Sequence, residues 1–177
     1  MPSGRTHDFI TIALTAPVFA GAYAFSSDIA VSTAVTSAFL FGGLMFGPDL
    51  DTTSKQSTRW SFLKVLWFPY RIFFKHRSRW SHGLIFGTLI RVVYFIGVVT
   101  IAAFIGAYAL AALTSGTLPD ALTFARSWKT LGGYSDAYVG TKMLVAVFCG
   151  LWAGAASHTF TDMAGSYIKT GRITEFL

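Results

Sequence analysis

Residues 143–165 read MLVAVFCGLWAGAASHTFTDMAG, and the fold is decided by this stretch. It contains a single charged residue, Asp162, close to its end. At about 1.5 Å per residue, a helix of this length extends roughly 34 Å, enough to cross a bilayer core of about 30 Å. We therefore predict a membrane-spanning helix that carries His158 and Asp162 one turn apart near its end.

Three further apolar segments have the same character. Residues 9–25 and 29–47 contain no Asp, Glu, Lys or Arg, and residues 84–113 contain only Arg91. Over the whole chain of 177 residues, 53% are hydrophobic and 12% are charged, and the mean hydropathy is +0.54. An average soluble domain carries roughly 25% charged residues, so this chain has too few charges to cover a soluble surface. We predict an all-α integral membrane bundle of about four transmembrane helices, forming a single domain over residues 1–177.

The first apolar segment has a second interpretation, a cleaved signal peptide. Arg5 precedes the apolar stretch, and Ala20-Gly21-Ala22 follows the small-residue pattern of a cleavage site. We favour a retained helix because His7 and Asp8 lie where the other polar motifs would meet it.

Residues 48–83, between the second and third segments, are rich in both aromatic and basic side chains. This composition is typical of a segment that lies in the membrane interface. On a helix, Lys64, Arg71 and Lys75 would share one face, and Pro69 would interrupt or restart that helix.

Four spans place both termini and residues 48–83 on one side of the membrane, which we call side A. Residues 26–28 and 114–141 then lie on the opposite side, side B, where we expect a short amphipathic helix at about 120–131. Of the 14 Lys and Arg residues, side B holds only Arg126, Lys129 and Lys142. Because positive charge accumulates in cytoplasmic loops, side A is predicted to be cytoplasmic, in a bacterial inner or thylakoid membrane, and side B periplasmic.

The four histidines all fall near helix ends on side A. His7 precedes the first segment, His76 and His82 precede the third, and His158 lies near the end of the fourth. Carboxylates accompany them at Asp8, Asp49, Asp51 and Asp162. Since the helix assignment rests on hydropathy alone, this convergence independently indicates a shared site.

The donor chemistry of that site indicates a divalent metal. Cys149 is the only cysteine, so one chain can form neither a disulfide nor a thiolate cluster. Imidazole and carboxylate ligands suit a catalytic ion, Zn in the first place with Mn and Fe as alternatives. The predicted metal ligands are His7, Asp49, His76, His82, His158 and Asp162. Asp51 and Asp8 are predicted to act as general base or to orient a histidine ring, and the eight candidates allow one to three ions.

Apart from His82, these residues also have a purely structural explanation. The alternatives are a helix-end acid for Asp162, a packing residue for His158, turn acids for Asp49 and Asp51, an N-cap cluster for His7 and Asp8, and a surface loop residue for His76. We favour metal binding because ionisable groups within membrane helices usually have a function.

Four runs of sequence carry a resemblance to a known family: GRTHD at Gly4, FGGLMFGPDLD at Phe41, WFPYRIFFKHRSRWSHG at Trp67 and HTFTD at His158. They resemble an uncharacterised family of bacterial metal-binding membrane proteins that is common in cyanobacteria. That family is similar to the LexA-regulated inner-membrane metal-dependent hydrolases, which share a PD-x-D, HR…SH and H-x3-D pattern. The resemblance covers most of the chain and implies metal binding without a substrate. The matching positions are Asp49, Asp51, His76, His82, His158 and Asp162, with His7 at the family's N-terminal histidine.

These observations lead us to expect a metal-dependent hydrolase that acts on a phosphoester or lipid-like substrate at the cytoplasmic face. The alternative is a non-catalytic scaffold in which a metal staples helix ends together. Transport is disfavoured because the ionisable residues cluster at one rim rather than near the bilayer midplane. Nucleic-acid binding is disfavoured because membrane topology already explains the basic loop. The expected partners are membrane lipid and a second copy of the chain or another membrane complex.

Overall fold

The computed structural model describes residues 3–74, 78–84, 86–114 and 120–171. Within these ranges every regular element is helical, which confirms the predicted all-α class. The α-helices are α1 Gly4–Ala13, α2 Thr15–Ser26, α3 Ile29–Leu44, α4 Lys55–Thr58, α5 Phe68–Phe73, α6 Arg79–His82, α7 Phe86–Thr114, α8 Ala121–Tyr138 and α9 Gly140–Thr170. Pro48–Asp51 and Ser61–Trp67 form 3-10 helices.

Four helical stretches in the described chain are long and apolar enough to span a membrane. They are Gly4–Ser26, Ile29–Asp51, Phe86–Thr114 and Gly140–Thr170. The apolar segments predicted from hydropathy, 9–25, 29–47, 84–113 and 143–165, lie within a few residues of these bounds. The first and last helices extend further because backbone hydrogen bonds continue into the polar residues at their ends.

A tight turn joins α2 to α3. Ser27 ends α2 in the left-handed conformation, with φ of 50°. Asp28 then caps α3, its carboxylate accepting hydrogen bonds from the backbone N–H groups of Ala30 at 2.9 Å and Val31 at 3.2 Å. The turn reverses the chain, so α3 packs back along the α1–α2 stretch.

The closest helix pair is α3 with α9, and glycine makes it possible. A Cβ placed on Gly150 would lie 2.3 Å from the carbonyl oxygen of Val35, and one on Gly154 would lie 2.2 Å from that of Phe39. On the facing side, a Cβ on Gly42 would lie 2.6 Å from the Leu151 carbonyl oxygen. Such small-residue contacts are how membrane helices bring their backbones together.

The helices α3 and α9 run in the same direction. Their first turns are joined by an ion pair between Lys142 Nζ and Asp28 Oδ2 at 3.0 Å. Gly150 faces the middle of α3, and Gly154 faces its last turns at Gly42 and Gly43. His158, one turn further along α9, therefore lies level with the end of α3.

Three large aromatic side chains of the basic and aromatic segment 48–83 are buried, which differs from a segment that only lies on a surface. Trp60, Trp67 and Tyr70 are buried with Phe46 and Leu50 in one aromatic cluster. The Trp60 indole also donates a hydrogen bond to the carbonyl oxygen of Met45 at 2.8 Å. The described residues of this segment therefore pack against the ends of α3 and α7, while Phe62, Phe68 and Phe73 remain exposed.

Lys64 and Arg71 lie in two successive helices, in agreement with the interruption that the sequence indicated at Pro69. The 3-10 helix containing Lys64 ends at Trp67, and α5 starts at Phe68 with Pro69 in its first turn. Proline favours a helix start because it lacks an N–H group, so a new helix starts here, as the sequence indicated. Lys75, the third predicted member of that face, lies outside the described residues.

The connection between α7 and α9 is more helical than predicted. The expected short helix at 120–131 is α8, which extends over Ala121–Tyr138. Asp120 caps its start by accepting a hydrogen bond from the Thr123 N–H at 2.8 Å. No residue of α8 is buried, and its Phe124 ring contacts Phe104 of α7 edge-on.

Candidate metal centre

Two histidines from opposite ends of the chain lie face to face. His7 occupies the first turn of α1, and His158 lies on α9. Their imidazole rings stack with centroids 3.7 Å apart and planes inclined by 7°. Both side chains are buried, so the two rings share one pocket.

Asp162 completes this group from the same face of α9 as His158. Its Oδ1 lies 3.2 Å from Nε2 of His7, and its Oδ2 lies 3.6 Å from Nε2 of His158. The predicted i,i+4 pairing on one helix face is present, and α1 contributes the third group.

The 3-10 helix Pro48–Asp51 brings a second set of donors. Asp49 Oδ1 lies 3.6 Å from Nε2 of His82, and Asp49 Oδ2 lies 3.4 Å from Nε2 of His158. Asp51 Oδ2 lies 3.4 Å from the other ring nitrogen of His82, Nδ1. Asp51 therefore faces the back of the His82 ring, the usual place for a carboxylate that orients a metal-binding histidine.

Two groups of three residues place ligand atoms within 4.8 Å of one another: His7, His158 and Asp162, and Asp49, His82 and Asp162. Asp162 belongs to both groups. Five residues from α1, the 3-10 helix, α6 and α9 thus form one cluster around a shared carboxylate.

The cluster leaves buried polar atoms without hydrogen bonds. Within the described ranges these include His7 Nδ1, His158 Nε2 and both carboxylate oxygens of Asp162. Asp162 is 1% exposed, so water does not supply the missing hydrogen bonds to its carboxylate. Buried polar atoms of this kind need an explanation, and a cation bound among imidazole nitrogens and carboxylate oxygens supplies one. The residues present therefore fit a divalent metal.

The net charge of the cluster also indicates a divalent cation. Asp49, Asp51 and Asp162 contribute three carboxylates to the cluster, and Arg91 of α7 is a buried cation that interacts electrostatically with Asp49 and Asp51. Arg91 is held in place by donating to the Ser81 carbonyl oxygen at 2.6 Å. Three carboxylates and one guanidinium leave two negative charges, which one divalent cation would balance.

Gln56 is a site residue that the sequence analysis did not identify. Its side-chain nitrogen donates to the carbonyl oxygen of Gly43 at 2.7 Å and lies 3.2 Å from Nδ1 of His158. Its side-chain oxygen accepts a hydrogen bond from the N–H of Asp49 at 3.2 Å. The available signal was composition, because Gln56 is the only residue with a side-chain amide in the chain.

The Gln56 contact also bears on the protonation of His158. An amide N–H directed at Nδ1 favours the tautomer whose proton is on Nε2, where it faces Asp49. A metal bound through Nε2 needs the opposite tautomer. Gln56 is therefore placed to influence how readily His158 becomes a ligand.

Asp8 lies at the edge of the cluster rather than in it. Arg59 donates to both of its carboxylate oxygens, at 3.0 and 2.7 Å, and Lys55 Nζ lies 3.4 Å from Oδ2. These contacts tie α1 to α4 and the residue after it. His76, which was also predicted to be a ligand, lies outside the described residues.

Two carboxylates change the acidity of His82. Burial by itself disfavours the charged imidazole, but Asp49 and Asp51 outweigh it and raise the pKa of His82 above its ordinary value of 6.5. The cluster without a metal therefore favours a proton on His82, and a metal ion would compete with that proton.

A cavity of about 20 Å³ adjoins the cluster. Its lining residues are Gly4, His7, Asp8, Asp49, Lys55, Gln56 and His158. A space of about 10–15 Å³ is enough for one water molecule, so the cavity has room for a small ion or a water. Asp49, whose side chain is 23% exposed, is the most accessible carboxylate of the cluster.

Comparison with known proteins identifies a relative of part of this chain. An uncharacterized protein of Aquifex aeolicus (strain VF5) is 46% identical over 57 residues. The matched region covers 32% of this chain and 40% of the length of that relative. No solved structure matches the chain.

The family match bears on the resemblance inferred from the sequence motifs. Metal binding is confirmed as a property of the family, whereas kinship with the LexA-regulated hydrolases stays a prediction. The matching family model covers residues 2–172, so the chain belongs to the uncharacterized metal-binding protein family DUF2227.

Proposed function

We propose that the protein is a membrane-embedded metalloenzyme that hydrolyses a phosphoester at the cytoplasmic face. The observation that carries this proposal is the largely buried cluster of His7, Asp49, His82, His158 and Asp162, whose ligand atoms form two groups around Asp162. Imidazole and carboxylate donors without thiolate are typical of catalytic zinc sites, with manganese and iron as alternatives.

A membrane location is supported by the four apolar helices and by the charge distribution. The cluster lies at the end of α3 and at the first turn of α1, hence near one rim of the proposed bilayer. Lysine and arginine are concentrated on the same rim, and this asymmetry favours the cytoplasmic side.

The proposed roles follow from the contacts of each residue. A divalent ion at this position would polarise a phosphoryl oxygen and acidify a water molecule. His7, His82, His158, Asp49 and Asp162 would hold it. Asp51 would orient His82 through Nδ1, and Asp8, which lines the adjoining cavity, is the remaining candidate for general base.

With two bound ions, the cluster would favour an anionic substrate. One divalent ion would neutralise the two uncompensated carboxylate charges, and a second would leave two positive charges for a phosphate group to offset. Lys55, which is half-exposed beside the cavity, adds positive charge at its mouth.

Hydrolysis of a chromogenic phosphate monoester by the purified, metal-loaded protein tests the proposal. We expect His158→Ala and Asp162→Asn to abolish metal-dependent hydrolysis while circular dichroism shows an intact helical fold. Asp136→Asn, which changes an exposed carboxylate on α8, is the matched control and should retain full activity. Equal activity in Asp162→Asn and Asp136→Asn would refute catalysis by this cluster.

A non-catalytic metal staple is the second candidate, and the burial of the ligands favours it. Asp162 and His158 are almost inaccessible, and the adjoining cavity holds little more than one water. A structural site has a closed shell of protein ligands, whereas a catalytic site keeps one exchangeable position. X-ray absorption spectroscopy of the metal-loaded protein distinguishes a catalytic from a structural site. A coordination shell made only of protein ligands supports the staple.

A further inference from the structure

The described histidines of the cluster differ in the partner of Nδ1, the ring nitrogen opposite the one that faces the ligand carboxylates. Behind His82, Asp51 Oδ2 lies 3.4 Å from Nδ1. Behind His158, the side-chain nitrogen of Gln56 lies 3.2 Å from Nδ1. Among the described residues, Nδ1 of His7 has no hydrogen-bond partner. A neutral imidazole carries its proton on one nitrogen only, so the partner of Nδ1 determines whether Nε2 is free to bind a metal.

The carboxylate behind His82 prepares this ring for metal binding. A carboxylate accepts hydrogen bonds, so Asp51 favours the tautomer of His82 whose proton is on Nδ1. The hydroxyl oxygen of Ser81, 3.1 Å from the same nitrogen, can also accept that proton. Nε2 of His82 is then left with a lone pair on the side of Asp49, whose Oδ1 lies 3.6 Å away. A carboxylate behind an imidazole is the usual support of a metal-binding histidine, so the group of Asp49, His82 and Asp162 is ready to bind an ion.

The amide behind His158 has the opposite effect, and the backbone fixes its orientation. The nitrogen of the buried Gln56 side chain donates to the carbonyl oxygen of Gly43 at 2.7 Å, and its oxygen accepts from the N–H of Asp49 at 3.2 Å. Exchanging the two ends of the amide would break both bonds, because a carbonyl oxygen cannot donate and an N–H cannot accept. Gln56 therefore directs its second N–H to Nδ1 of His158, which leaves the proton of that ring on Nε2.

The stacking of His7 on His158 also opposes a shared ion. The two ring planes are inclined by only 7°, with centroids 3.7 Å apart. The lone pair of an imidazole nitrogen lies in the plane of its ring, so two parallel rings direct their lone pairs along separate planes. One of the rings must turn before both can bind the same ion. The group of His7, His158 and Asp162 therefore requires both a change of tautomer and a rotation.

Charge alone does not decide which group binds first. One divalent ion balances the two uncompensated carboxylate charges of the cluster, so a second ion binds without that attraction in either group. The order of binding is therefore decided by the partners of Nδ1, a carboxylate behind His82 and an amide N–H behind His158.

We propose that Gln56 makes the two groups of ligands unequal, so that the first ion binds to the group of His82 and a second ion binds more weakly to the group of His7 and His158. The inference rests on the metal binding of the proposed function and names the residue that sets its order. The weaker group faces the cavity of about 20 Å³, which His7, His158 and Gln56 help to line. The exchangeable position that a catalytic site needs is then on the cavity side.

Nitrogen NMR of the metal-free protein with isotopically labelled histidine measures the tautomers directly. At a pH where the rings are neutral, we expect His158 to carry its proton on Nε2 and His82 to carry it on Nδ1. The variant His158→Gln identifies the signals of that ring by their loss. A proton on Nδ1 of His158 in the wild-type protein would overturn the inference, whatever the folding of any Gln56 variant.

Titration with zinc against a competing chelator measures both affinities in the wild-type protein and in Gln56→Met, which has a side chain of similar length without the amide. We expect Gln56→Met to tighten the second ion about tenfold and to leave the first unchanged, because the opposing hydrogen bond is removed. In a His158→Ala background, the matched control, the same substitution should not change the remaining affinity. Weaker binding of both ions in Gln56→Met would show that Gln56 only supports the fold, and would overturn the inference.

The order of binding and the enzymatic function fail in different ways. His82→Ala should lose the tighter ion and keep the weaker one, and the reverse would refute the order. Two unequal ions without hydrolysis of a chromogenic phosphate monoester would remove the enzyme and leave the order of binding. Hydrolysis by a protein that binds two ions with equal affinity would leave the enzyme and remove the order.

Discussion

Both carboxylate oxygens of Asp162 face histidines of the cluster, one towards His7 and the other towards His158. The same residue belongs to the group formed with Asp49 and His82. In an apolar environment, an ionised carboxylate is costly unless it is paired with a cation. At the scale of single residues, Asp162 therefore links the two halves of the site.

Metal analysis of purified variants tests this link. We expect Asp162→Ala to lose all bound metal because it belongs to both groups, and His82→Ala to lose metal from the group it shares with Asp49. Metal content is measured by inductively coupled plasma mass spectrometry and compared with that of the wild-type protein. Full retention of metal in both variants would show that the cluster is not the binding site.

The raised pKa of His82 predicts opposite pH dependences for the metal-free and metal-loaded protein. Because the pKa in the folded protein lies above 6.5, protonated His82 stabilises the metal-free fold below pH 6.5, and this contribution is lost as the pH rises through the folded-state pKa. Metal binding requires the neutral imidazole, so affinity should increase as the pH rises over the same range.

Thermal unfolding in detergent at a series of pH values measures the first effect. His82→Gln should remove the His82 contribution from the metal-free profile while the other histidines remain. A metal-free wild-type protein whose difference from His82→Gln grows with increasing pH would contradict the assignment.

At the scale of elements, the contact between α3 and α9 positions the cluster. Gly150 and Gly154 allow the two backbones to meet, and His158 follows one turn later. The 48–83 segment is held over the same end by the burial of Trp67 and Tyr70, and it supplies Asp49, Asp51 and His82. The site is therefore assembled by helix packing rather than by any one motif.

Gly154→Val tests the dependence of the site on helix packing. A Cβ at this position would lie 2.2 Å from the Phe39 carbonyl oxygen and 2.6 Å from the Gly43 nitrogen, so α9 must move away from α3. We expect destabilisation of at least about 2 kcal/mol, together with loss of metal.

Gly97→Val is the matched control, because no atom lies within 4 Å of a Cβ at that position of α7. Its stability should change by less than about 1 kcal/mol, and its metal content should not change. Chemical unfolding and metal analysis are performed on both variants. Equal metal content in the two variants would show that close approach of α3 and α9 is unnecessary.

At the scale of the whole molecule, the proposed topology puts every predicted ligand at one membrane face. The turn at residues 26–28 and helix α8 lie at the other end of the spans, where Lys142 pairs with Asp28. A site at one rim suits a reaction on a headgroup, whereas transport sites lie near the midplane on broken helices.

Reporter fusions test the predicted topology. Fusions after residues 52 and 171 should report the cytoplasm, and fusions after residues 27 and 120 should report the periplasm, because eleven of fourteen basic residues lie on side A. Alkaline phosphatase and green fluorescent protein give opposite signals at each point. A periplasmic signal after residue 52 with a cytoplasmic one after residue 171 would place the ligands on different sides.

Much of the site was predictable because it depends on local composition and on the alternating direction of successive membrane spans. Apolar length indicates where helices cross, and successive crossings determine which loops meet, so the convergence of His7, Asp49, His82 and His158 followed without coordinates. The bounds of the long helices differed only at their polar ends.

Other features depend on which helix faces meet, and only the tertiary structure decided them. Gln56 reaches His158 across 102 residues, and Arg91 is buried beside the carboxylates instead of facing outward. Hydropathy could not distinguish the inward-facing Trp67 from the outward-facing Phe68, because both are aromatic residues in the same segment. The physical reason is that local sequence sets the length and polarity of a helix, whereas its rotation and partners follow from side-chain shape, here the close contact at Gly150 and Gly154.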